Sequence, residues 1–524
     1  MATLLPGSGR DPIHYQGEVR GQQHTEARPG DGRAWMVFLI LAASAYSPLR
    51  TWANASESPN VLTLAFAYAL IAAFGLLLWI GLQRLRLDPR GAGYATAVAV
   101  LLLTNSGVWI GQYAQGHLLL LAGSLVAAVL VYRLSGLAFI GHLMSWVAII
   151  AIALPLVSLV QLPGARPEMQ LDASSDLDVA GITPTPDVVL LVLDAYTDAE
   201  TLRGLYEHDN SPFLGQLEQL DFQVDSPVLA NYPRTAFSVA SVLQLNYLGG
   251  ESSLTAEDVD SIWDVLGGQS KLVNAFQGVG YRHVFVESGW LGTRCGLRVD
   301  VCVAAQWPDE TFYDVANRSI LRGLPGYELG RRFTEGALHT LDWLKNDLGG
   351  YLRDDVPDLV YVHVLAPHPP LFLDARCEAD WRGGLPGYVI GSPQMDRDEL
   401  ALVRARYTDQ LECVNSVLLE VARELPQDDV AIMFGDHGPD SLGQLFLPSG
   451  EMWSEEQRRE RFGVFYAAHV PGCDMKSIGS LVNLGRRLLS CMSDTAMPDL
   501  ETRILDMTRD SDPRRITELE LPEL

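Results

Sequence analysis

The sequence predicts a chain in two parts: about five transmembrane helices in the first third and, behind them, an α/β domain on a central, mostly parallel sheet covered on both faces. Three observations carry this expectation. Long apolar stretches follow one another before residue 160, most of them close to the ~20 residues that cross a bilayer as helix. After residue 187, apolar runs (188–193, 283–286, 359–365, 430–434, 463–468) alternate with helix-like stretches (211–220, 331–347, 398–424), as in a doubly covered sheet. Two of the runs, Val-Val-Leu-Leu-Val-Leu-Asp at 188–194 and Ala-Ile-Met-Phe-Gly-Asp-His-Gly-Pro at 431–439, end in metal-ligand residue types. Buried parallel strands read as continuous Val/Ile/Leu runs, and open α/β sheets place chemistry just beyond the carboxyl ends of their strands.

In chain order, residues 1–33 form an arginine-bearing N-terminal tail and residues 34–160 the membrane region, with spans at 34–50, 60–82, 92–112, 117–133 and 139–160, the first and fourth shortest. Several long runs in succession exclude a cleaved signal peptide and indicate a retained anchor. Arg10, Arg20, Arg28 and Arg33 precede the first span, Arg84, Arg86 and Arg90 sit between the second and third, and Arg133 follows the fourth, whereas 111–116 carries no charge. Basic loops stay in the cytoplasm. An odd number of spans then puts everything beyond residue 160 on the extracytoplasmic, periplasmic side of the inner membrane.

The cysteines point the same way. All six (295, 302, 377, 413, 473, 491) follow the last span, and an even number confined to an exported domain indicates disulfides. Near-neighbour pairing, 295 with 302, 377 with 413 and 473 with 491, closes modest loops; buried free thiols are the alternative, and the absence of C-x-x-C spacing disfavours zinc ligation. A formal net charge of −26 and a pI near 4.7 exclude nucleic acid as a partner.

Residues 161–186, rich in Pro, Asp, Ser and Gly, read as a linker; 187–495 is the folded domain and 496–524 an acidic, weakly patterned tail. Asp194 and the pair Asp436-His437 are expected to meet at one sheet edge, where carboxylate oxygens beside an imidazole suit a divalent cation such as Zn or Mn. The segment Ala230–Ser241 reads as a loop entering a helix. A hydroxyl there is well placed for attack, and the plainer reading has Thr235 and Ser238 capping the helix. Asp358-Leu-Val-Tyr-Val-His363-Val-Leu-Ala-Pro-His368-Pro-Pro is another strand leading to a histidine. His368, flanked by prolines, is a candidate to bind or protonate a transferring group, whereas His363 lies inside the apolar run and is equally a core histidine.

Together these strings resemble the sulfatase-like branch of the alkaline phosphatase superfamily, specifically its membrane-anchored members, the lipoteichoic acid synthases and lipid A phosphoethanolamine transferases. The resemblance spans roughly 186–470 and rests on the order of four strings: strand-Asp at 194, the Thr-containing helix entry at 235, His-x-x-x-x-His-Pro at 363–369 and Gly-Asp-His-Gly at 435–438. Tyr407-Thr-Asp-Gln-Leu-Glu-Cys413-Val-Asn415 is also similar to those relatives.

The resemblance implies an alkaline-phosphatase-like three-layer sandwich. It implies one divalent metal ion (Mn, Zn, Mg or Ca) held by Asp194, Thr235, Asp436 and His437, and Thr235 as the nucleophile of a covalent phospho-enzyme. His368 stands as the second catalytic residue, with Arg234, Asn231 and His363 on the substrate side. The implied activity is phospho-group hydrolysis or transfer on a membrane lipid or envelope glycan. Two departures matter: the Cys/Ser-x-Pro-x-Arg string that true sulfatases convert to formylglycine is missing near residue 235, and so is a second Asp-x-x-x-His ligand set. Sulfuric ester hydrolysis and a catalytically idle exported scaffold or sensor are the alternatives.

Overall fold

The computed structural model describes residues 31–54, 60–106, 114–161, 186–248, 254, 256–305, 310–323, 329–380, 395–446, 453–507 and 516–522. Most of the N-terminal tail and of the 161–186 linker lies outside them. Five apolar helices come first: α1 (Asp31–Asn54), α2 (Val61–Arg84), α3 (Pro89–Leu103), α4 (Ala114–Leu134) and α5 (Ala138–Gln161). Among the described residues, three helices are long and apolar enough to cross a membrane, at Gly32–Ala53, Val61–Arg84 and Ala138–Val157. The third helix ends at Leu103, short of the expected 92–112 span, with the Thr104 hydroxyl and Asn105 amide bonding back to Val100 and Leu101 carbonyls. Met36, Leu39 and Ile40 of α1 pack at the centre of the bundle against Trp79, Tyr94, Val100 and Met144. Leu62, Leu77, Leu119, Phe139 and Trp146 stand exposed on its outside, a surface suited to acyl chains rather than water.

The second part holds a seven-stranded sheet. In chain order its first elements are β1 (Val188–Leu193), α6 (Ala199–Leu205), α7 (Ser211–Gln219), β2 (Gln223–Val224), β3 (Val228–Leu229) and α8 (Thr235–Leu243). Next come α9 (Ala256–Leu266), α10 (Lys271–Gly278), β4 (Arg282–Val286), β5 (Val301–Val303), α11 (Glu310–Asn317), α12 (Leu329–Asn346), α13 (Leu348–Tyr351) and β6 (Asp358–Val364). The last are α14 (Arg397–Glu424), β7 (Val430–Gly435), α15 (Glu455–Phe462), β8 (Gly463–Val464), β9 (Tyr466–His469), α16 (Leu484–Met492), β10 (Ile504–Met507) and β11 (Ile516–Leu519). The sheet order is β2-β9-β7-β1-β6-β4-β5, parallel throughout except at the β2–β9 edge. The apolar run expected at 463–468 therefore splits into β8, which pairs with β3, and β9.

Strand alternation divides the core in two. Val188, Leu190 and Val192 face one cluster with α8, α10 and α16, while Val189, Leu191 and Leu193 face the other with α7, α12 and α14. All six cysteines are paired, Cys295–Cys302, Cys377–Cys413 and Cys473–Cys491, as the near-neighbour expectation has it.

The region expected to be an acidic tail is partly folded onto the domain. Strands β10 and β11 pair antiparallel, and Leu505, Met507 and Ile516 bury against Tyr232 and Leu254. The pattern Ile504-Leu505-Asp506-Met507 carries enough apolar surface for this, but is too short to stand out beside its acidic flanks. The two parts of the chain also touch: the Asn60 N–H donates to Thr311 Oγ1 at 2.9 Å, and Val315 of α11 packs on Leu64 and Ala67 of α2.

Candidate metal centre

Register builds this site. Strand β1 lies between β6 and β7, with Leu193 opposite both Val364 and Gly435, so all three strands end at one level. Asp194 and Asp436 follow as the next residues of neighbouring strands, and His363, opposite Val192, points to the same face as both. Helix α8 packs on that face through Val239, Val242 and Leu243. Its first residue, Thr235, is consequently aimed at the strand ends.

The two glycines of Gly-Asp-His-Gly permit the approach of other backbone segments. A Cβ at Gly435 would collide with the Tyr196 carbonyl, and one at Gly438 with the Glu460 carbonyl. Ala195, just after Asp194, takes a left-handed φ of 62°. That conformation costs roughly 1–2 kcal/mol for a residue with a Cβ. It is held by the Ala195 N–H to Asp436 Oδ1 (3.0 Å) and by the Tyr407 hydroxyl to the Ala195 carbonyl (2.7 Å).

The Thr235 Oγ1 lies 3.1 Å from His437 Nε2, which is 3.6 Å from Asp194 Oδ1 and 3.5 Å from Asp436 Oδ2. The Gly438 carbonyl, 3.0 Å from His437 Nδ1, can only accept, so Nδ1 carries the proton and Nε2 presents a lone pair. Asp194, Asp436 and His437 are buried, whereas Thr235 is partly exposed and reachable from outside. Burial pushes the Asp194 carboxyl up to about 7, and burial together with the Asp194 charge does the same to Asp436. Burial, then the Arg461 charge, holds His437 well below the ordinary imidazole range.

These residues fit a divalent cation. Asp194 Oδ1 and Asp436 Oδ2 are buried without a hydrogen-bond partner, a costly state for carboxylate oxygens. Spacings of 3.1, 3.5 and 3.6 Å between oxygen and nitrogen atoms match the ~3–4 Å separation of neighbouring ligands around an ion bound at about 2 Å.

Not every expected residue takes its expected place. Asn231 is fully buried and its amide is consumed by the scaffold: Nδ2 donates to Tyr247 Oη and the Arg503 carbonyl, and Oδ1 accepts from the Val482 N–H. It ties the loop before Thr235 to the C-terminal segment and is not a substrate contact. His363 is also fully buried, beneath the strand ends, which removes it from the substrate side. Ser238 donates to the Asp436 carbonyl at 2.6 Å and is a packing residue. Arg234 is the partly exposed residue preceding α8, next to Thr235. His368 lies with its ring centre 6.2 Å from that of His437. Its Nδ1 proton goes to the Pro369 carbonyl, leaving Nε2 with a lone pair, and desolvation keeps the ring below the ordinary imidazole pKa. Helix α14 positions this loop, Gln410 bonding the His368 carbonyl and the Leu373 N–H.

Arg461, which the sequence reading did not single out, sits at the centre of the construction. Only 5% exposed, it donates through Nε and Nη2 to the Pro233 carbonyl and through Nη1 to the Gly438 carbonyl, joining the Thr235 loop to the His437 loop. Its charge also lowers the carboxyl pKa of both Asp194 and Asp436. The available signal was a run of charges, Glu-Glu-Gln-Arg-Arg-Glu-Arg, leading directly into an apolar strand.

No family model matches the chain, and no curated protein does. Among solved structures it is similar to the C-terminal periplasmic domain of EptC from Escherichia coli in complex with Zn, at 15% identity and TM-score 0.40 over 64% of this chain and 92% of that one. It is similar to the integral membrane lipooligosaccharide phosphoethanolamine transferase A from Neisseria meningitidis, at 15% identity and TM-score 0.39 over 88% and 95%. A third is the phosphonate monoester hydrolase of Agrobacterium radiobacter, at 13% identity and TM-score 0.37 over 59% and 74%. Likeness at this level leaves the chemistry to the side chains.

Proposed function

We propose that this chain is a membrane-anchored, metal-dependent phospho-group transferase or hydrolase that works through a covalent phospho-threonine at Thr235. The observation that carries the reading is the partly exposed Thr235 hydroxyl, 3.1 Å from His437 Nε2, which itself lies 3.6 and 3.5 Å from two buried carboxylates with unpartnered oxygens. Asp194, Asp436, His437 and Thr235 would hold the ion. When bound, a divalent cation lowers the cost of forming an alkoxide on Thr235 and polarises a phosphoryl oxygen.

The chain's own residues do the rest. The Thr235 Oγ forms a bond to phosphorus, the bond from phosphorus to the leaving alcohol breaks, the Thr235 proton passes to solvent and the leaving oxygen gains one from solvent. In the second half, water or an acceptor alcohol forms a bond to phosphorus, the bond from phosphorus to Thr235 Oγ breaks, and the Thr235 oxygen regains a proton from solvent. The neutral His368 Nε2 is suited to take that nucleophile's proton, which favours a base over the acid role the sequence suggested. Arg461 keeps the two loops in register throughout, so that the attacking and binding groups need not reorganise.

The five apolar helices, the cytoplasmic-type arginine loops and the disulfides support an inner-membrane protein with its catalytic domain on the extracytoplasmic side. Contact between α11 and α2 keeps that domain against the bundle and favours a substrate anchored in the same membrane, a lipid or an envelope glycan. The test is turnover of bis(nitrophenyl) phosphate by the full chain in detergent. Activity should vanish on chelation and return with Zn or Mn; chelator-resistant turnover would contradict the reading.

A further inference from the structure

His363 is a buried imidazole with nothing to bond. It is fully buried on β6, and neither Nδ1 nor Nε2 has a hydrogen-bond partner. A neutral imidazole left so costs about 1–3 kcal/mol per unsatisfied group, which a phenylalanine in the same strand would avoid. Its Nε2 lies 3.8 Å from Asp194 Oδ2, too long for a hydrogen bond but close to the 3.5 and 3.6 Å spacings of His437 from the two carboxylates. The Asp194 carboxylate therefore stands between two imidazoles, Oδ1 toward His437 and Oδ2 toward His363. Ligand-capable atoms of Asp194, His363 and Asp436 all lie within 4.8 Å of one another. His283 is also buried without a partner, but among the described residues it belongs to no such cluster.

We propose that His363 is a ligand of the metal centre, giving it imidazoles from two strands, His437 after β7 and His363 on β6, on either side of Asp194. The inference rests on the metal-dependent reading above and extends its ligand set. Two imidazoles with two carboxylates make the site softer than an all-oxygen one, favouring Zn over Mg or Ca.

The test is zinc X-ray absorption spectroscopy on the full chain in detergent, stripped with chelator and reloaded with zinc, because outer-shell imidazole scattering counts coordinated histidines. The expected count is two in the natural protein, two in His368→Gln and one in His363→Phe, the last with zinc affinity weakened about tenfold or more. A count of one in the natural protein, of two in His363→Phe, or of one in His368→Gln overturns the proposal. If His363→Phe fails to fold, the natural protein and His368→Gln decide. A natural chain that takes up no zinc would defeat the metal-dependent reading itself, an outcome distinct from a site with a single imidazole.

Discussion

Replacing Asp194 by asparagine should make the metal-free domain more stable at alkaline pH while abolishing metal binding. The Asp194 carboxyl is pushed from the ordinary 3.8 up to about 7 by burial, with an opposing contribution from Arg461. A carboxyl whose pKa is raised on folding adds stability below its unfolded value and loses it as pH climbs through the folded value. The loss therefore runs from about pH 4 to pH 7, and ionising the group in the fold at pH 8 costs about 4 kcal/mol. Asparagine is neutral throughout, and an acceptor, the His437 lone pair, stands 3.6 Å from the Asp194 Oδ1 position. We expect Asp194→Asn in excess chelator to gain about 2–4 kcal/mol over the natural protein at pH 8 and nothing at pH 4. The assay is urea unfolding of the α/β domain within the full chain in detergent, followed by tryptophan fluorescence. Zinc at a hundredfold excess over Kd should then add about 2.7 kcal/mol to the natural protein and nothing to the variant. A variant no more stable than the natural protein at pH 8, or one that still binds metal stoichiometrically, would refute the reasoning.

Thr235→Ala should abolish nitrophenyl phosphodiester turnover, whereas Ser238→Ala, losing one buried bond to the Asp436 carbonyl, should cost about 1 kcal/mol of stability and keep part of the activity; equal losses of turnover in both would count against the assignment. Arg461→Met leaves the Pro233 carbonyl without its donor and two carboxylates without a nearby cation, and should lower stability by about 2–4 kcal/mol and turnover by at least tenfold, read by the same urea assay and by initial rates. Ending the chain after residue 503 removes β10 and β11, and with them the apolar cover of Tyr232 beside the Thr235 loop; turnover should fall sharply, and a fully active truncated chain would show that cover to be dispensable.

The strands that matter most were legible because each is a continuous apolar run, and Asp194 and Asp436 because each follows such a run directly. What the runs could not disclose was register. Only the pairing of Val192 with His363 reveals that this histidine shares a face with Asp194, beneath the substrate side where the sequence had put it. Asn231 looked like a polar residue in a functional loop, yet two of its three side-chain partners lie some 250 and 270 residues later in the chain, contacts no local pattern carries. Arg461 was hidden for the opposite reason: one charge in a charged helix looks solvated until the fold buries it between two carbonyls. The C-terminal strands were missed because four-residue segments among acidic neighbours carry too little periodicity to be read.

Mass spectrometry bears most directly on Thr235 as the covalent nucleophile. The full chain is incubated with a phosphodiester, quenched in acid and digested, and the peptide spanning residues 231–243 is sequenced. The expected result is a phospho-adduct on Thr235 that appears only with metal present and is missing from Thr235→Ala. An adduct on another side chain, or steady turnover with Thr235 unmodified at every quench time, would contradict it.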